Sequence, residues 1–325
     1  MRAFDLHADT MLDMSTHIGK GEKGVLEKYH LPQYKAGEIG GQIFALFVPL
    51  LEKDWADYSD EEMVSPQNVM MNMAARCLKE FHDCDEVEMA YSGSDVERIA
   101  ASGKFPVLLG IEGFYGFNGE PGMIDVMYDM GFRHGMMTWN NDNEFAAGAE
   151  FTGEDKGLTD LGIYTVKRME ELGMLVDVSH LSFRSFWDVM ENTKGTVIAS
   201  HSNAYSLCPC PRNLKDDQIR AIADRGGVIG MNSWKGFIME DMEKATEMDL
   251  ARHARYIADL TGPEFVACGF DFCDYFSDED PLPGLRSAAE TQNFIRALSK
   301  VGFSDREVEM IAWDNAMRVI KKVLG

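Results

Sequence analysis

Eight short runs rich in Val, Ile, Phe and Met recur along the chain, most of them followed by a stretch in which apolar residues repeat at helical spacing. The runs are Ala3–His7, Gly41–Val48, Phe105–Ile111, Gly135–Trp139, Met174–Ser179, Thr196–Ser200, Val228–Asn232 and Phe265–Asp271. Runs of this length bounded by turn residues read as strands. Helical spacing is clearest over Leu158–Leu172, Ser182–Asn192, Leu214–Arg225 and Met248–Leu260, with two closing helices at Ala288–Val301 and Asp305–Val323. Pro66–His82 adds a helix inside the long excursion between the second and third runs. Strands separated by helices pair in parallel, because only a crossover connection brings the chain back to the same end of the sheet. Eight such units in 325 residues predict an α/β fold, a (β/α)8 TIM-type barrel with C-terminal helices, as one domain over 1–325. A doubly wound sheet is the competing arrangement. It normally carries a glycine-rich phosphate turn after its first strand, and Asp9-Thr10-Met11-Leu12 is not one.

Charge narrows the function classes. With 54 acidic against 31 basic residues the formal net charge is −23. Nucleic-acid binding needs clustered Lys and Arg, so no nucleic-acid partner is expected, and anionic membrane surfaces are disfavoured for the same reason. No apolar run is long enough to span a membrane. No basic start, apolar run and small-residue cleavage site precede the first motif, so the expected location is cytoplasmic. The six cysteines include no CxxC pair and read as free thiols, with Cys208-Pro-Cys210 the one close pair. The acidic stretch Glu52–Met63 reads as a solvated loop rather than a lid.

The polar residues sit at predicted strand ends, which is where a barrel of this kind places its active site. Strand one runs into DLHADT, with Asp5, His7 and Asp9 at alternate positions and so on one predicted face. Glu112 follows strand three, His180 strand five and His201 strand six, while Asp271 closes strand eight. Each of these alone has an ordinary structural explanation. Together on one rim they would leave several buried charges unpaired, which is costly unless a cation sits among them. Imidazole with carboxylate suits zinc, and also manganese or cobalt. Five ligands, His7, Asp9, Glu112, His180 and His201, are too many for one tetrahedral zinc with an open position but suit two metals sharing a carboxylate. Glu112 stands between the two groups in strand order and is the expected bridge. Asp5 and Asp177 lie below the rim, either as partners of the ligands or as buried structural acids.

These residues occur in DLHADT, GIEG, GLTDLGIYTVKRMEELGMLVDVSHLS, ASHSNAYSLCPCPRNLKDDQIRAIADRGGVIGMN, GFDF and DNAMRVI. On those stretches the chain resembles the membrane (renal) dipeptidase family, peptidase family M19, among the amidohydrolase-like metal-dependent hydrolases, and within it a bacterial-type member. The resemblance implies two divalent metal ions, expected to be Zn2+, held by His7, Asp9, Glu112, His180 and His201, with Glu112 bridging. It implies that Asp271 handles the proton during turnover, with Glu112 and Asp271 as the catalytic carboxylates. It implies that Arg212 and Asn213, in PRN, contact the substrate, Arg212 through the substrate's terminal carboxylate. The expected activity is hydrolysis of dipeptides, including L-Xaa-D-Xaa forms, and the rival on the same scaffold acts on N-acyl amino acids or lactones. A homodimer is compatible with the resemblance. One departure is visible. Mammalian members carry Thr-His after the fourth strand, where this chain has Thr138-Trp139. Trp139 is expected to shape the substrate pocket, since an indole can only donate. Phe270 stands where the family often has a small residue and is expected to narrow the pocket.

Overall fold

A computed structural model describes residues 1–49, 65–272, 274–275 and 281–325. The acidic stretch Glu52–Met63 and Cys273 lie outside the described residues. Nine strands are described: β1 (Ala3–Ala8), β2 (Ile39–Phe47), β3 (Val87–Ala90), β4 (Phe105–Glu112), β5 (Phe132–Met136), β6 (Leu175–Asp177), β7 (Val197–Ile198), β8 (Ile229–Met231) and β9 (Val266–Cys268). All pair in parallel, in the order β7-β6-β5-β4-β2-β1-β9-β8. The two ends of that series meet at a parallel bridge, Ala199 to Ile229, in which Ala199 N–H donates to Val228 O at 3.0 Å and Gly230 N–H to Ala199 O at 2.8 Å. Eight strands therefore close a (β/α)8 barrel. The ninth, β3, was not expected from the sequence. It pairs with the first half of β4, and β5 takes over the same edge from Leu109 onward.

The strands divide their side chains at period two between two apolar clusters. Phe4, Leu6, Ile43, Leu108, Leu175, Ile198, Val228 and Ala267 meet in one cluster. Single side chains from strands all round the sheet can meet only inside the barrel, so this is the inner face. Val107, Leu109, Ile111, Val176, Val197 and Ile229 belong to the outer layer against the helices. The inner cluster also takes in Val96 and Ile99 of helix Gly93–Ala101 and Met317 and Ile320 of helix Asn315–Leu324. These two helices close the amino-terminal end of the barrel, and Gly93 N–H donates to Gly325 O at 2.8 Å. The predicted closing helix Asp305–Val323 is present in three parts, with a π turn at Met310–Asp314 between two α segments. Helix Phe183–Asn192 starts as expected at Ser182, whose hydroxyl accepts from Ser185 N–H.

One face assignment is corrected. Asp5 pairs with Gln42 and Ala8 with Phe44, so three residues of β1 span two of β2, a β-bulge. Phe4 and Leu6 face inward, and Asp5 turns away from the side chains expected as ligands. Its carboxylate accepts from Gln42 Nε2 at 2.7 Å, Phe270 N–H at 2.9 Å and His7 N–H at 3.3 Å. The bulge then lets His7 reach the interior despite its odd parity. Asp5 is thus a buried structural acid tying β1 to its neighbours, and burial pushes its pKa up to about 6.

The later strands are shorter than predicted because their last residues bend into the loops that carry polar groups. No described helix is long and apolar enough to cross a membrane. At the barrel closure, a Cβ added to Gly230 or Gly269 would overlap the Ser200 carbonyl oxygen. Gly230→Ala is therefore expected to destabilise the fold by about 1–3 kcal/mol. A urea unfolding midpoint equal to that of the unsubstituted protein would show that closure does not need this backbone approach.

Candidate metal centre

The carboxyl ends of β1, β4, β6, β7 and β9 bring the expected residues together. Glu112 ends β4 on the inner face, and its two oxygens face different partners. Oε2 lies 3.1 Å from His7 Nε2, and Oε1 lies 2.9 Å from His180 Nε2 and 3.7 Å from His201 Nε2. The Nε2 atoms of His180 and His201 are 2.8 Å apart. His7 Nε2 is also 3.7 Å from an oxygen of Asp9 and 3.7 Å from an oxygen of Asp271. Among the described residues, two groups have ligand atoms close enough to hold a metal ion: His7, Glu112 and His201, and His7, Asp9 and Asp271. All five residues expected as ligands are buried.

Local structure explains how the side chains are aimed. Asp9 sits at the N-cap of helix Thr10–Gly19, yet its side chain makes no capping bond and stays directed at His7. His180 and Asp271 have φ of +65° and +56°, left-handed values unusual for residues with a Cβ. Such conformations cost about 1–3 kcal/mol each and persist where surrounding bonds over-determine them. The His180 carbonyl accepts from Ala149 N–H at 2.7 Å and Thr138 Oγ1 at 3.1 Å, and Asp271 N–H donates to His7 O at 3.2 Å. Imidazole orientation is set from behind. His180 Nδ1 meets Asn140 Oδ1 at 2.8 Å, and His201 Nδ1 meets Ser200 Oγ at 2.8 Å. Asn232 Nδ2 donates to Asp271 Oδ2 at 3.0 Å. Asn140 and Asn232 were not singled out in the sequence. Their position directly after a predicted strand and at the end of one was the available signal. Asp177 proves structural. Its Oδ2 meets His134 Nε2 at 2.7 Å, and its Oδ1 accepts from the backbone of Ser179 and Ser200.

The electrostatics fit a cation. Burial raises the pKa of Glu112 far above the carboxylate range, and Asp9 adds to it. Burial also raises Asp271. Burial alone would lower His7, but Glu112, Asp9 and Asp271 outweigh it and raise its pKa well above normal. Burial, with Arg212 and His7 nearby, drives His180 far down, and burial with His7 does the same to His201. The carboxylates thus favour a protonated His7, while His180 and His201 are pushed toward the neutral form with their Nε2 atoms 2.8 Å apart. Among the described residues, His7 Nδ1 and Asp9 Oδ1 are buried without a hydrogen-bond partner. A donor set of neutral imidazoles and carboxylates around one buried carboxylate matches the ligand chemistry of divalent zinc or manganese.

A cavity of about 290 Å³ opens beside His180 and Arg212. Arg212 is buried, its Nη2 donates to His201 O at 3.3 Å, and its Nε has no partner among the described residues. Asn213 lines the same cavity, but its amide is committed to the loop, donating to Cys208 O and Phe237 O at 2.8 Å each and accepting from Asn203 N–H. Trp139 stacks near His180, ring centres 6.3 Å apart, and packs on Phe47. Phe270 does not narrow the pocket. It is fully buried, with Phe272 and Phe294 rings 5.1 and 5.4 Å away. The described cysteines are free thiols.

A family model, membrane dipeptidase (peptidase family M19), matches residues 1–324. The chain belongs to the membrane dipeptidase family. It is a hydrolase of the metallo-dipeptidase class. Over 251 residues it is 34% identical to an uncharacterized Klebsiella pneumoniae protein encoded in the pqqA 5′ region, covering 74% of this chain and 91% of that one. An uncharacterized dipeptidase of Schizosaccharomyces pombe is 29% identical over 319 residues, 93% of this chain and 73% of its own length. The fold matches that of a Rhodobacter sphaeroides metallo peptidase liganded with a phosphinate mimic of the dipeptide L-Ala-D-Ala, with TM-score 0.86, 23% identity and 99% of each chain covered. In this dipeptidase the His134–Asp177 pair lies inside the barrel, below the metal-competent groups. Removing one partner of such a pair strands a buried charge, so His134→Leu is expected to destabilise by about 3–5 kcal/mol. Denaturant unfolding at neutral pH reads this, and a loss under 1 kcal/mol, well below that range, would show that Asp177 is neutral in the fold.

Proposed function

We propose that this dipeptidase hydrolyses dipeptides bearing a free C-terminal carboxylate, L-Xaa-D-Xaa forms among them, with two zinc ions held by His7, Asp9, Glu112, His180 and His201. The observation that carries the reading is Glu112, whose two buried oxygens face different histidines. Bound divalent cations supply Lewis acidity and a nucleophilic water near neutral pH. The protein's own groups do the rest. Glu112 presents one oxygen to each ligand group and holds them in register. Asp271, fixed by Asn232, accepts a proton from the attacking water and returns it to the leaving amine. Its burial-raised pKa suits a group that must both take and give a proton. Arg212 receives the terminal carboxylate through a guanidinium whose Nε is unpaired in the buried site. Asn213 holds the loop that carries Arg212, and Trp139 forms a wall beside His180.

The direct test loads the protein with zinc and offers matched L-L and L-D dipeptides, L-Ala-D-Ala first, with N-acetylated and C-amidated controls. Release of free amino acid from the unmodified dipeptides, abolished by C-amidation, is the expected result. Cleavage confined to N-acyl amino acids or lactones would overturn the substrate assignment and leave the metal site intact.

Substitutions separate the roles. Asp271→Asn is expected to keep its metal content and lose about 10²–10⁴ in kcat. His180→Ala is expected to lose metal, measured by elemental analysis after gel filtration. Full turnover in the first variant, or two retained metals in the second, would contradict the assignment.

A further inference from the structure

The cavity beside Arg212 has an unusual charge balance for this chain. The protein carries 54 acidic and 31 basic residues, yet among the described residues no aspartate or glutamate lines the cavity. Its wall includes two cations, Arg212 and Lys215, with Phe183, Tyr205, Gln218 and the ring of His180. The Lys215 ammonium stands 4.1 Å from the centre of the Phe183 ring and 5.8 Å from that of Tyr205. Aromatic faces hold an ammonium in place without neutralising it. Among the described residues no carboxylate lies within the 4.0 Å of an ion pair with Lys215. Two carboxylates close to this part of the fold are engaged elsewhere. Asp155 accepts from Ser182 Oγ and from the backbone of Gly157 and Arg184. Asp216 accepts from Ser206 Oγ and Tyr256 Oη. Glu112 and Asp271 stand on the histidine side of Arg212 and act on its charge from there.

A single substrate carboxylate needs only one of these cations. Arg212 is the buried one and adjoins His201, as a group reading the main-chain carboxylate must. Lys215 lies three residues further on, at the N-cap of helix Asp216–Asp224, toward the exposed side of the same cavity. We infer that this cavity receives the C-terminal side chain of the dipeptide and that Lys215 selects an acidic one, aspartate or glutamate. The inference rests on the proposed role of Arg212. It makes Lys215 a specificity-determining residue with no part in the bond-breaking step. Phe183 and Tyr205 position the ammonium, and no carboxylate among the described lining residues offsets its charge before substrate arrives.

The test compares kcat/KM of the zinc-loaded enzyme on paired substrates that differ only in charge, Ala-Glu against Ala-Gln, each as L-L and L-D forms. The expected preference for Glu is about tenfold, the size of one partly solvated charge-assisted hydrogen bond. It is carried mainly by KM and shrinks as salt is added. Lys215→Met brings the Glu-to-Gln ratio close to one, and Lys215→Arg keeps most of it. Using the ratio within each variant removes any effect of folding yield. Equal kcat/KM on both members of the pair, or a ratio that survives in Lys215→Met, overturns the inference while the dipeptidase reading stands. Cleavage of neither member overturns that reading, and this one with it.

Discussion

A carboxylate buried among imidazoles dictates the organisation of this protein. Glu112 is nearly inaccessible, and both of its oxygens are in contact with histidine nitrogens from other strands. An isolated ion in such a place is costly, so the surrounding groups must supply positive charge. The carboxylates raise the proton affinity of His7, burial raises that of Glu112, and burial lowers those of His180 and His201, whose Nε2 atoms stand 2.8 Å apart. The barrel makes this arrangement possible because five strand ends deliver one or two side chains each to the same volume. A helix or a hairpin cannot bring so many residues from distant parts of the chain to one carboxylate.

The rest of the rim holds that cluster still. Backbone in the left-handed region at His180 and Asp271 is stabilised by bonds from Thr138, Ala149 and the strand β1 carbonyl of His7. A line of amides then joins Asp271 to the loop that carries Arg212. Asn232 binds Asp271, Asn203 exchanges bonds with the Asn232 backbone, and Asn203 N–H donates to Asn213 beside Arg212. Asp271 and the loop that carries Arg212 are therefore held by one continuous network. Below it, Asp177 with His134 and Asp5 with Gln42 satisfy the remaining buried acids inside or against the barrel wall.

Much of this was legible in the order of residues. Periodic apolar runs identify all eight barrel strands, and the metal-competent residues are visible because each falls directly at a predicted strand end. The less visible parts have specific causes. Strand β3 has four residues and no turn signal that separates it from the preceding helix. The bulge in β1 reverses the face of Asp5 relative to His7, and a strict period of two cannot anticipate an inserted residue. Asn140 and Asn232 act on groups 40 and 39 residues away, and no local pattern marks such contacts. Phe270 was misplaced for a related reason. Its position at the strand end suggested the pocket, but its ring turns into the helix layer onto Phe294.

The sequence by itself determined the class of fold and the chemical kind of the site, because periodicity and residue type are local properties that survive without coordinates. Only the tertiary structure decided which oxygen of Glu112 meets which histidine, which acids gather beside the histidines and which are struts, and which charges are missing from the described lining of the cavity beside Arg212. Those are differences of a few ångströms between residues a hundred positions apart. They are set by barrel closure and register, which are properties of the whole sheet and of no single segment.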